Sequence, residues 1–371
     1  MTAAPSRGVS ALQRRLSHAE ERPGRDWTVL VENVPEWPEG TAPLPSADVV
    51  RAAALTYQPS QGLVELRAAL VNREQLVNGE SGLTVEHFLV TNGAMHAIGL
   101  VLRTLAARGF RTVLAEEPVF RGVYDAVTDA GLSLHTVGPD GWDEDWPQDD
   151  LTALYVNLPA NPTGRVLTPD ALRRVERAAS QGVPIVFDAV YDAFSFAPDR
   201  LPSPVALAVA SPDVFVVNSM SKNYGRPGDR VGWIVAHEAS VAQIVPRLEW
   251  ETVSINSVVQ YAALDVVEHG NDALVGAVRQ GREHYAQLVA GHPVLDVPIP
   301  PGGTQLWLPL GVDDVEAFAD HALDMGLVLT TSANYFPSPE GYIRFPTGIS
   351  PRTMRRAVDA LDLALRRWGG R

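Results

Sequence analysis

The chain has 371 residues, with 30 basic and 44 acidic side chains, a formal net charge of −14 and 46% hydrophobic residues. This composition is typical of a well-buried globular protein, and the length predicts two or three domains. The acidic balance disfavours nucleic-acid binding, the lack of cysteine excludes disulfides and thiolate metal sites, and no segment has the ~18 apolar residues that a membrane helix needs.

The first 45 residues are rich in proline, glutamate and tryptophan. This composition predicts an irregular arm with at most one short helix. No apolar leader is visible among the early arginines, so we expect a cytoplasmic protein.

From residue 85 onward the pattern is that of an α/β protein. A β-forming run at residues 87–90 leads through a turn at Gly93 into a helical repeat of apolar residues. Further runs recur at residues 112–114, 154–156, 184–187, 214–217 and 233–235, most of them separated by helical segments. The alternation predicts a three-layer α/β/α domain with a mostly parallel sheet.

Beyond residue 271 the pattern changes again. A long amphipathic helix, short strands within residues 304–310 and 342–345, and a terminal helix over 351–368 predict a smaller α+β domain. We therefore expect an arm (1–45), a large domain (46–271) and a small domain (272–371).

Lys222 is the single lysine of the chain, against 29 arginines. Such a bias is usually genomic, because a solvated surface tolerates either cation, but only lysine offers a free amine. Lys222 follows the predicted strand 214–217, and the carboxyl ends of parallel strands are where catalytic groups collect. Flanking serines, with Arg230 eight residues on, suit an amine that forms a Schiff base beside a bound phosphate.

The segment around Lys222 carries a family resemblance. Its Ser-x-Ser-Lys run, followed by Gly-x-Arg-x-Gly at residues 228–232, resembles the signature of fold type I pyridoxal-phosphate enzymes, the class I/II aminotransferase family. The resemblance implies an aminotransferase-like fold, pyridoxal 5'-phosphate as cofactor, and a large domain that binds it. It also implies that the arm (1–45) contributes to the small domain and the substrate pocket.

Two further motifs match the same family in order. Residues 161–164 read Asn-Pro-Thr-Gly, and residues 188–191 read Asp-x-x-Tyr. By resemblance, Asn161 and Tyr191 hydrogen-bond the phenolic oxygen of the cofactor, and Asp188 binds its pyridine nitrogen. A buried carboxylate there would keep that nitrogen protonated, which makes the ring an electron sink.

The phosphate-binding residues are predicted from a helix start. Gly93, Ala94 and Met95 lie between a predicted strand and a helix, where backbone N–H groups attract anions. The resemblance adds Ser219 and Arg230 to this phosphate cup.

The remaining matches concern aromatic and substrate contacts. The resemblance implies that Phe120 stacks on the cofactor ring, that Arg344 binds the substrate carboxylate, and that Tyr57 reaches the phosphate of a neighbouring subunit. A homodimer with shared active sites follows from the role of Tyr57. Asn161 and Asn33 are further substrate-binding candidates. Each motif taken singly has a structural alternative: a core aromatic, a turn former or a surface ion pair.

The sequence departs from the family at residues 29–36, where many members have a glycine and this chain has none. We hypothesise that Glu32 or Glu36 faces the pocket and favours a cationic or polyfunctional substrate; plain surface exposure is the alternative. The acidic residues of segment 142–150 are expected to form a solvated loop, and we expect no metal site.

The resemblance implies an enzyme of amino-acid metabolism in which Lys222, Asp188 and Tyr191 are catalytic. Transfer of an amino group between an amino acid and a 2-oxo acid is the leading reaction. The same fold also serves lyases, cyclases, γ-replacement enzymes and oxidases, so these stay open. An effector-binding domain of a transcriptional regulator is a more remote alternative, because the arm leaves no room for a DNA-binding domain. We expect no nucleic-acid or membrane partner.

Overall fold

The computed structural model describes residues 7–43, 46, 53, 55, 57–79, 82–138 and 151–368. The acidic loop expected at residues 142–150 lies outside them. Within the described ranges, no helix is both long enough and apolar enough to cross a bilayer.

The strands of the described residues are short. They are β1 (Thr28–Leu30), β2 (Phe88–Thr91), β3 (Thr112–Glu116), β4 (Val119–Phe120), β5 (Ser133–Val137), β6 (Thr152–Asn157), β7 (Ile185–Asp188), β8 (Val214–Ser219), β9 (Gly232–Ala236), β10 (Gln305–Pro309), β11 (Leu327–Thr331), β12 (Tyr335–Phe336) and β13 (Tyr342–Pro346).

Helices alternate with the strands through the middle of the chain. They are α1 (Arg7–Glu20), α2 (Val64–Asn78), α3 (Ala94–Ala107), α4 (Arg121–Asp129), α5 (Pro169–Ser180), α6 (Val205–Ala210), α7 (Met220–Asn223), α8 (Glu238–Thr252), α9 (Ser257–His269), α10 (Asp272–Val289), α11 (Val315–Ala322) and α12 (Pro351–Trp368).

The central sheet has seven strands in the order β2-β9-β8-β7-β6-β3-β5. Strand β9 is antiparallel to both of its neighbours, and the other pairs are parallel. Every residue of β2, β7, β8 and β9 is buried. Because successive side chains point to opposite faces, both faces of the sheet must be covered. The predicted three-layer architecture with a mostly parallel sheet is therefore confirmed.

A second sheet has the order β1-β11-β13-β10. Its strands pack with α10, α11 and α12 around a separate apolar core that includes Tyr285, Phe318 and Phe345. The smaller α+β unit expected beyond residue 271 is present, and the predicted domain boundaries at residues 45 and 271 stay predictions.

The N-terminal arm has a helix, as the prediction allowed, but the helix is longer than expected and a strand follows it. Its helix α1 is 14 residues long, and its strand β1 pairs in parallel with β11. Arg15 on α1 is 2% exposed and donates hydrogen bonds to Asp320 (2.7 Å) and to Glu316 (3.1 Å) on α11. These contacts are distant in sequence, so local composition gave no sign of them.

The topology brings three strand ends together. Asn157 at the end of β6 pairs with Asp188 at the end of β7, and β8 lies beside β7 and ends at Ser219. The loops after these strands therefore leave the sheet at one edge. Strand β12 pairs with β4 through Tyr335 and Phe120, which ties the smaller unit to the same edge.

A buried charge cluster lies behind that edge. Arg73 on α2 donates to both carboxylate oxygens of Asp192 (2.5 and 2.8 Å) and to Glu74 (2.6 Å). Asp192 also accepts from Asn218 (3.1 Å) and Asn223 (2.6 Å). All five side chains are buried. The cluster joins the loop after β7 to the residues on either side of Ser219 and Lys222.

Electrostatics makes Arg73 essential to this cluster. Burial raises the pKa of Glu74, with Arg73 opposing the shift. Removal of the one cation would leave two carboxylates buried without a counter-charge, a change that typically costs 3–5 kcal/mol.

We therefore expect Arg73→Met to lower the free energy of unfolding by about 3–5 kcal/mol, measured as the urea dependence of near-ultraviolet circular dichroism. Arg173→Met is the matched control, because Arg173 is 64% exposed in its ion pair with Asp170; its loss should cost less than about 1 kcal/mol. Similar decreases in the free energy of unfolding for the two variants would contradict a structural role for the cluster.

Candidate active site

A cavity of about 570 Å³ lies at the edge of the central sheet where β6, β7 and β8 end. Asp188, Lys222 and Arg230 line it from the central sheet, and Glu32 and Arg344 line it from the side of the second sheet. The cavity therefore collects opposite charges from distant parts of the chain.

Most of the residues predicted from the sequence meet in this cavity. The wall includes Asn33, Ala94, Met95, Phe120, Asn161, Asp188, Tyr191, Ser219, Lys222, Arg230 and Arg344. Gly93 lies beside the guanidinium of Arg230. Tyr57 is not in the wall, and it is 85% exposed.

Lys222 is placed by the short helix α7, which starts directly after β8. The Ser219 hydroxyl caps this helix by accepting from the Ser221 N–H (3.1 Å). The pKa of Lys222 is lowered to about 7, mainly by burial and also by the charges of Arg344 and Arg230, while Glu32 opposes the shift. A substantial fraction of the amine is therefore neutral at neutral pH.

Asp188 ends β7 and is buried in the cavity wall. Its carboxylate accepts from the Tyr155 hydroxyl (2.6 Å) and from the Val190 N–H (3.2 Å). Burial raises the pKa of Asp188 to about 6, and the two hydrogen bonds oppose this rise. No basic side chain of the described residues pairs with it, so the site suits a ligand that brings a positive charge.

Tyr191 and Asn161 present polar groups to the same space. Asn33 donates to the Tyr191 hydroxyl oxygen (3.1 Å), and burial raises the pKa of Tyr191, so that its O–H stays available as a donor. The side-chain oxygen of Asn161 (Oδ1) accepts from the Tyr335 hydroxyl (2.9 Å) and from Arg344 (3.3 Å).

Arg344 is held on strand β13 with its guanidinium buried. It donates to the Val31 carbonyl (2.6 Å) and to the Tyr335 hydroxyl (3.0 Å). Its buried Nε atom has no partner within the described part of the chain. A fixed guanidinium with a spare donor is suited to a carboxylate ligand.

An anion cradle forms between helix α3 and Arg230. Gly93 has a φ of 80°, and a Cβ there would lie 2.7 Å from a terminal nitrogen of Arg230. Arg230 itself has a φ of 53°, unusual for a residue with a side chain, and donates to Ser221 (3.3 Å) and to the Pro227 carbonyl (3.0 Å). The N-terminal N–H groups of α3 add the positive end of the helix dipole.

Three residues of the site, Tyr155, Gln305 and Tyr335, were not predicted from the sequence. Tyr155 lies two residues before the end of β6, on the same face as Asn157, so strand periodicity could have drawn attention to it. Gln305 accepts from Asn33 (2.5 Å) and donates to the Ala160 carbonyl (3.0 Å), and Tyr335 bridges Asn161 and Arg344. No sequence signal identifies these last two.

The two glutamates of the N-terminal segment have different positions. Glu32 lines the cavity. Glu36 lies outside the wall, and its carboxylate accepts from the Ser350 N–H (2.8 Å) near the start of α12. Of the two candidates, Glu32 is therefore the one that can meet a ligand in the cavity.

Similarity to known proteins agrees with this arrangement. A chain from Streptomyces arginensis described as 3-methylarginine biosynthesis aminotransferase is 37% identical over 95% of this chain and 96% of its own length. The L-aspartate:5-guanidino-3-methyl-2-oxopentanoate transaminase of Pseudomonas syringae pv. syringae is 32% identical over 98% of this chain and 96% of its own.

Solved structures share the fold at lower identity. A methionine aminotransferase from Escherichia coli superposes with a TM-score of 0.82 at 21% identity, covering 98% of this chain and 99% of its own. The aspartate aminotransferase of Thermotoga maritima superposes with a TM-score of 0.81 at 22% identity, covering 98% of this chain and 100% of its own. The family model "Aminotransferase class I and II" matches residues 26–361, and the chain therefore belongs to the class I and II aminotransferases.

Proposed function

We propose that this aminotransferase uses pyridoxal 5'-phosphate to interconvert a guanidino-bearing amino acid and its 2-oxo acid, with a second amino acid and its 2-oxo acid as the other pair in the transfer. The observation that carries the proposal is the position of Lys222, which brings the chain's single lysine into the cavity with Asp188 and the anion cradle. When bound, the cofactor supplies an aldehyde that condenses with amines and a ring that stabilises negative charge at the substrate α-carbon.

The cavity residues fit the parts of this cofactor. The missing Cβ of Gly93 lets the Arg230 guanidinium approach the start of α3, and this cradle suits the phosphate. Asp188, buried without a basic partner among the described residues, suits a protonated pyridine nitrogen. Tyr191 and Asn161 offer donors to a phenolic oxygen.

The remaining predicted cofactor contacts are included in the proposal. Ala94, Met95 and Ser219 complete the phosphate site. Phe120, half exposed in the cavity wall, offers a ring face for stacking.

Lys222 handles the proton in this proposal. Because its pKa is near 7, its Nζ atom can be neutral at neutral pH. It can then accept the proton of the substrate α-carbon and later return it. The same neutral amine is the nucleophile that an aldehyde requires.

Substrate orientation is assigned to Arg344 with Asn161 and Asn33. The Arg344 guanidinium is fixed by Val31 and Tyr335, so it can hold an α-carboxylate without reorganising. Asn33 links this side of the cavity to Tyr191 through its hydrogen bond.

The substrate class rests on the two relatives above 30% identity. The name of one refers to 3-methylarginine biosynthesis and the name of the other to a guanidino 2-oxo acid with L-aspartate. We infer that this chain also acts on a guanidino substrate, with aspartate as a candidate amino donor.

A homodimer with shared sites is part of the proposal. Tyr57 lies outside the cavity of its own chain and is exposed, which suits a contact with a second subunit. The cytoplasmic location expected from the sequence stays a prediction.

Lys222→Arg should preserve the fold and charge but reduce amino transfer by ~1,000-fold or more, because a guanidinium neither condenses with an aldehyde nor acts as a base near neutral pH. The assay follows oxaloacetate formation from aspartate and 5-guanidino-3-methyl-2-oxopentanoate. Arg173→Lys, the reverse exchange at an exposed site, should retain activity. Substantial turnover by Lys222→Arg would refute the assignment.

The pKa of Lys222 can be measured alone because no other lysine exists. After reductive ¹³C-methylation of the cofactor-free protein, the Lys222 methyl resonance should titrate with a midpoint near 7 instead of the ordinary 10.5. The Lys222→Arg variant identifies the α-amino resonance by retaining it. A midpoint near 10 would show that burial does not depress this pKa.

Tyr57→Phe should weaken pyridoxal-phosphate binding by about tenfold, the effect of one hydrogen bond to a charged group, and leave the dimer intact. Fluorescence titration and sedimentation measure the two properties. Tyr342→Phe is the control, because Tyr342 stacks on Trp307 and lies outside the cavity wall. Unchanged cofactor affinity in Tyr57→Phe would contradict the shared site.

A further inference from the structure

One carboxylate in the cavity wall has no hydrogen-bond or ion-pair partner within the described part of the chain. Asp188 accepts from Tyr155 and Val190, and Asp125 accepts from the Nε atom of Arg121 (2.9 Å). Glu32 lines the same cavity, and no described residue donates a hydrogen bond to its carboxylate or forms an ion pair with it. Its charge is therefore available to a ligand.

The backbone on both sides of Glu32 is fixed by the site itself. The preceding Val31 carbonyl accepts from Arg344 (2.6 Å) and from the Thr330 hydroxyl (3.3 Å). The following residue, Asn33, is buried and donates to Tyr191 (3.1 Å). Glu32 thus starts from a rigid base between the arginine assigned to the α-carboxylate and the tyrosine of the cofactor site.

The positive groups of the cavity already have assigned partners. Arg344 is placed to take the α-carboxylate, Arg230 to take the phosphate, and Lys222 is the proposed reactive amine. Arg121, which also lines the cavity, is paired with Asp125. A substrate with a cationic end would need a carboxylate, and a guanidinium pairs best with one in two-point contact. The field of Glu32 also reaches the reactive centre, since it acts to raise the pKa of Lys222.

We propose that Glu32 determines substrate specificity by pairing with the distal guanidinium of the substrate while Arg344 holds its α-carboxylate. This inference rests on the proposed function. It also predicts an opposite effect on aspartate, because the side-chain carboxylate of aspartate is repelled by Glu32 instead of attracted.

The test compares Glu32→Gln with Glu36→Gln in the cofactor-loaded protein. For the guanidino substrate, Glu32→Gln should lower kcat/KM by ~10- to 100-fold, mainly through KM, which is the loss expected for one charge-assisted contact. For aspartate its kcat/KM should stay unchanged or rise. Glu36→Gln, the same exchange on the same segment outside the cavity wall, should leave both values unchanged.

A binding measurement gives a second readout that needs no turnover. 5-Guanidinopentanoate has the carboxylate and the guanidinium but no α-amino group. In calorimetric titrations it should bind Glu32→Gln ~10- to 100-fold more weakly than the wild type, whereas pentanoate should bind both equally. Glu32→Asp, which keeps the charge, should recover part of the affinity.

The outcomes separate the two proposals. If Glu32→Gln lowers kcat/KM equally for the guanidino substrate and for aspartate, or lowers it for neither, the proposed role of Glu32 is wrong. Unchanged affinity for 5-guanidinopentanoate would overturn it as well. If the wild type transfers no amino group to or from a guanidino substrate, the proposed function fails, and the binding comparison still tests Glu32.

Discussion

The ion pair between Arg73 and Asp192 is the interaction on which the site depends. Charges removed from water need close partners, so Asp192 cannot move away from Arg73 without becoming a buried carboxylate that has no counter-charge. Asp192 in turn holds Asn218 and Asn223, which lie on either side of Lys222 in the chain. The loop after β7 and the loop after β8 are therefore fixed to each other, and the distance between the reactive groups that they carry is set by a buried contact behind the cavity.

The two reactive groups respond to burial in opposite directions. Loss of solvent lowers the pKa of Lys222 and raises that of Asp188, because the charged form of each is disfavoured. Lys222 thereby becomes a usable base near neutral pH. Asp188 becomes a carboxylate that gains from a cationic partner, and a protonated ring nitrogen would provide it. One physical cause thus prepares both groups for the proposed chemistry.

The residues proposed for the chemistry and those proposed for substrate selection lie on different parts of the fold. The central sheet supplies Lys222 and Asp188 at its carboxyl edge, where loops can vary without disturbing the buried strands. The second sheet and the N-terminal segment supply Arg344 and Glu32. Because the Val31 carbonyl accepts a hydrogen bond from Arg344, the residue proposed to bind the α-carboxylate is linked to the residue next to Glu32, which is proposed to bind the distal cation.

Sequence patterns predicted the α/β architecture, the smaller α+β unit and the aminotransferase family, and these predictions were confirmed. Buried strands have continuous apolar runs, and the Ser-x-Ser-Lys run is a contiguous motif. Both are therefore visible in the sequence without coordinates. Strand β1 and the length of the helix at Arg15 were not predicted, because residues some 300 positions away in the chain stabilise them. The tertiary structure alone decided that Glu32, and not Glu36, lines the cavity, and that Tyr335 joins Asn161 to Arg344. Such positions depend on strand pairing between distant segments, which no local pattern encodes.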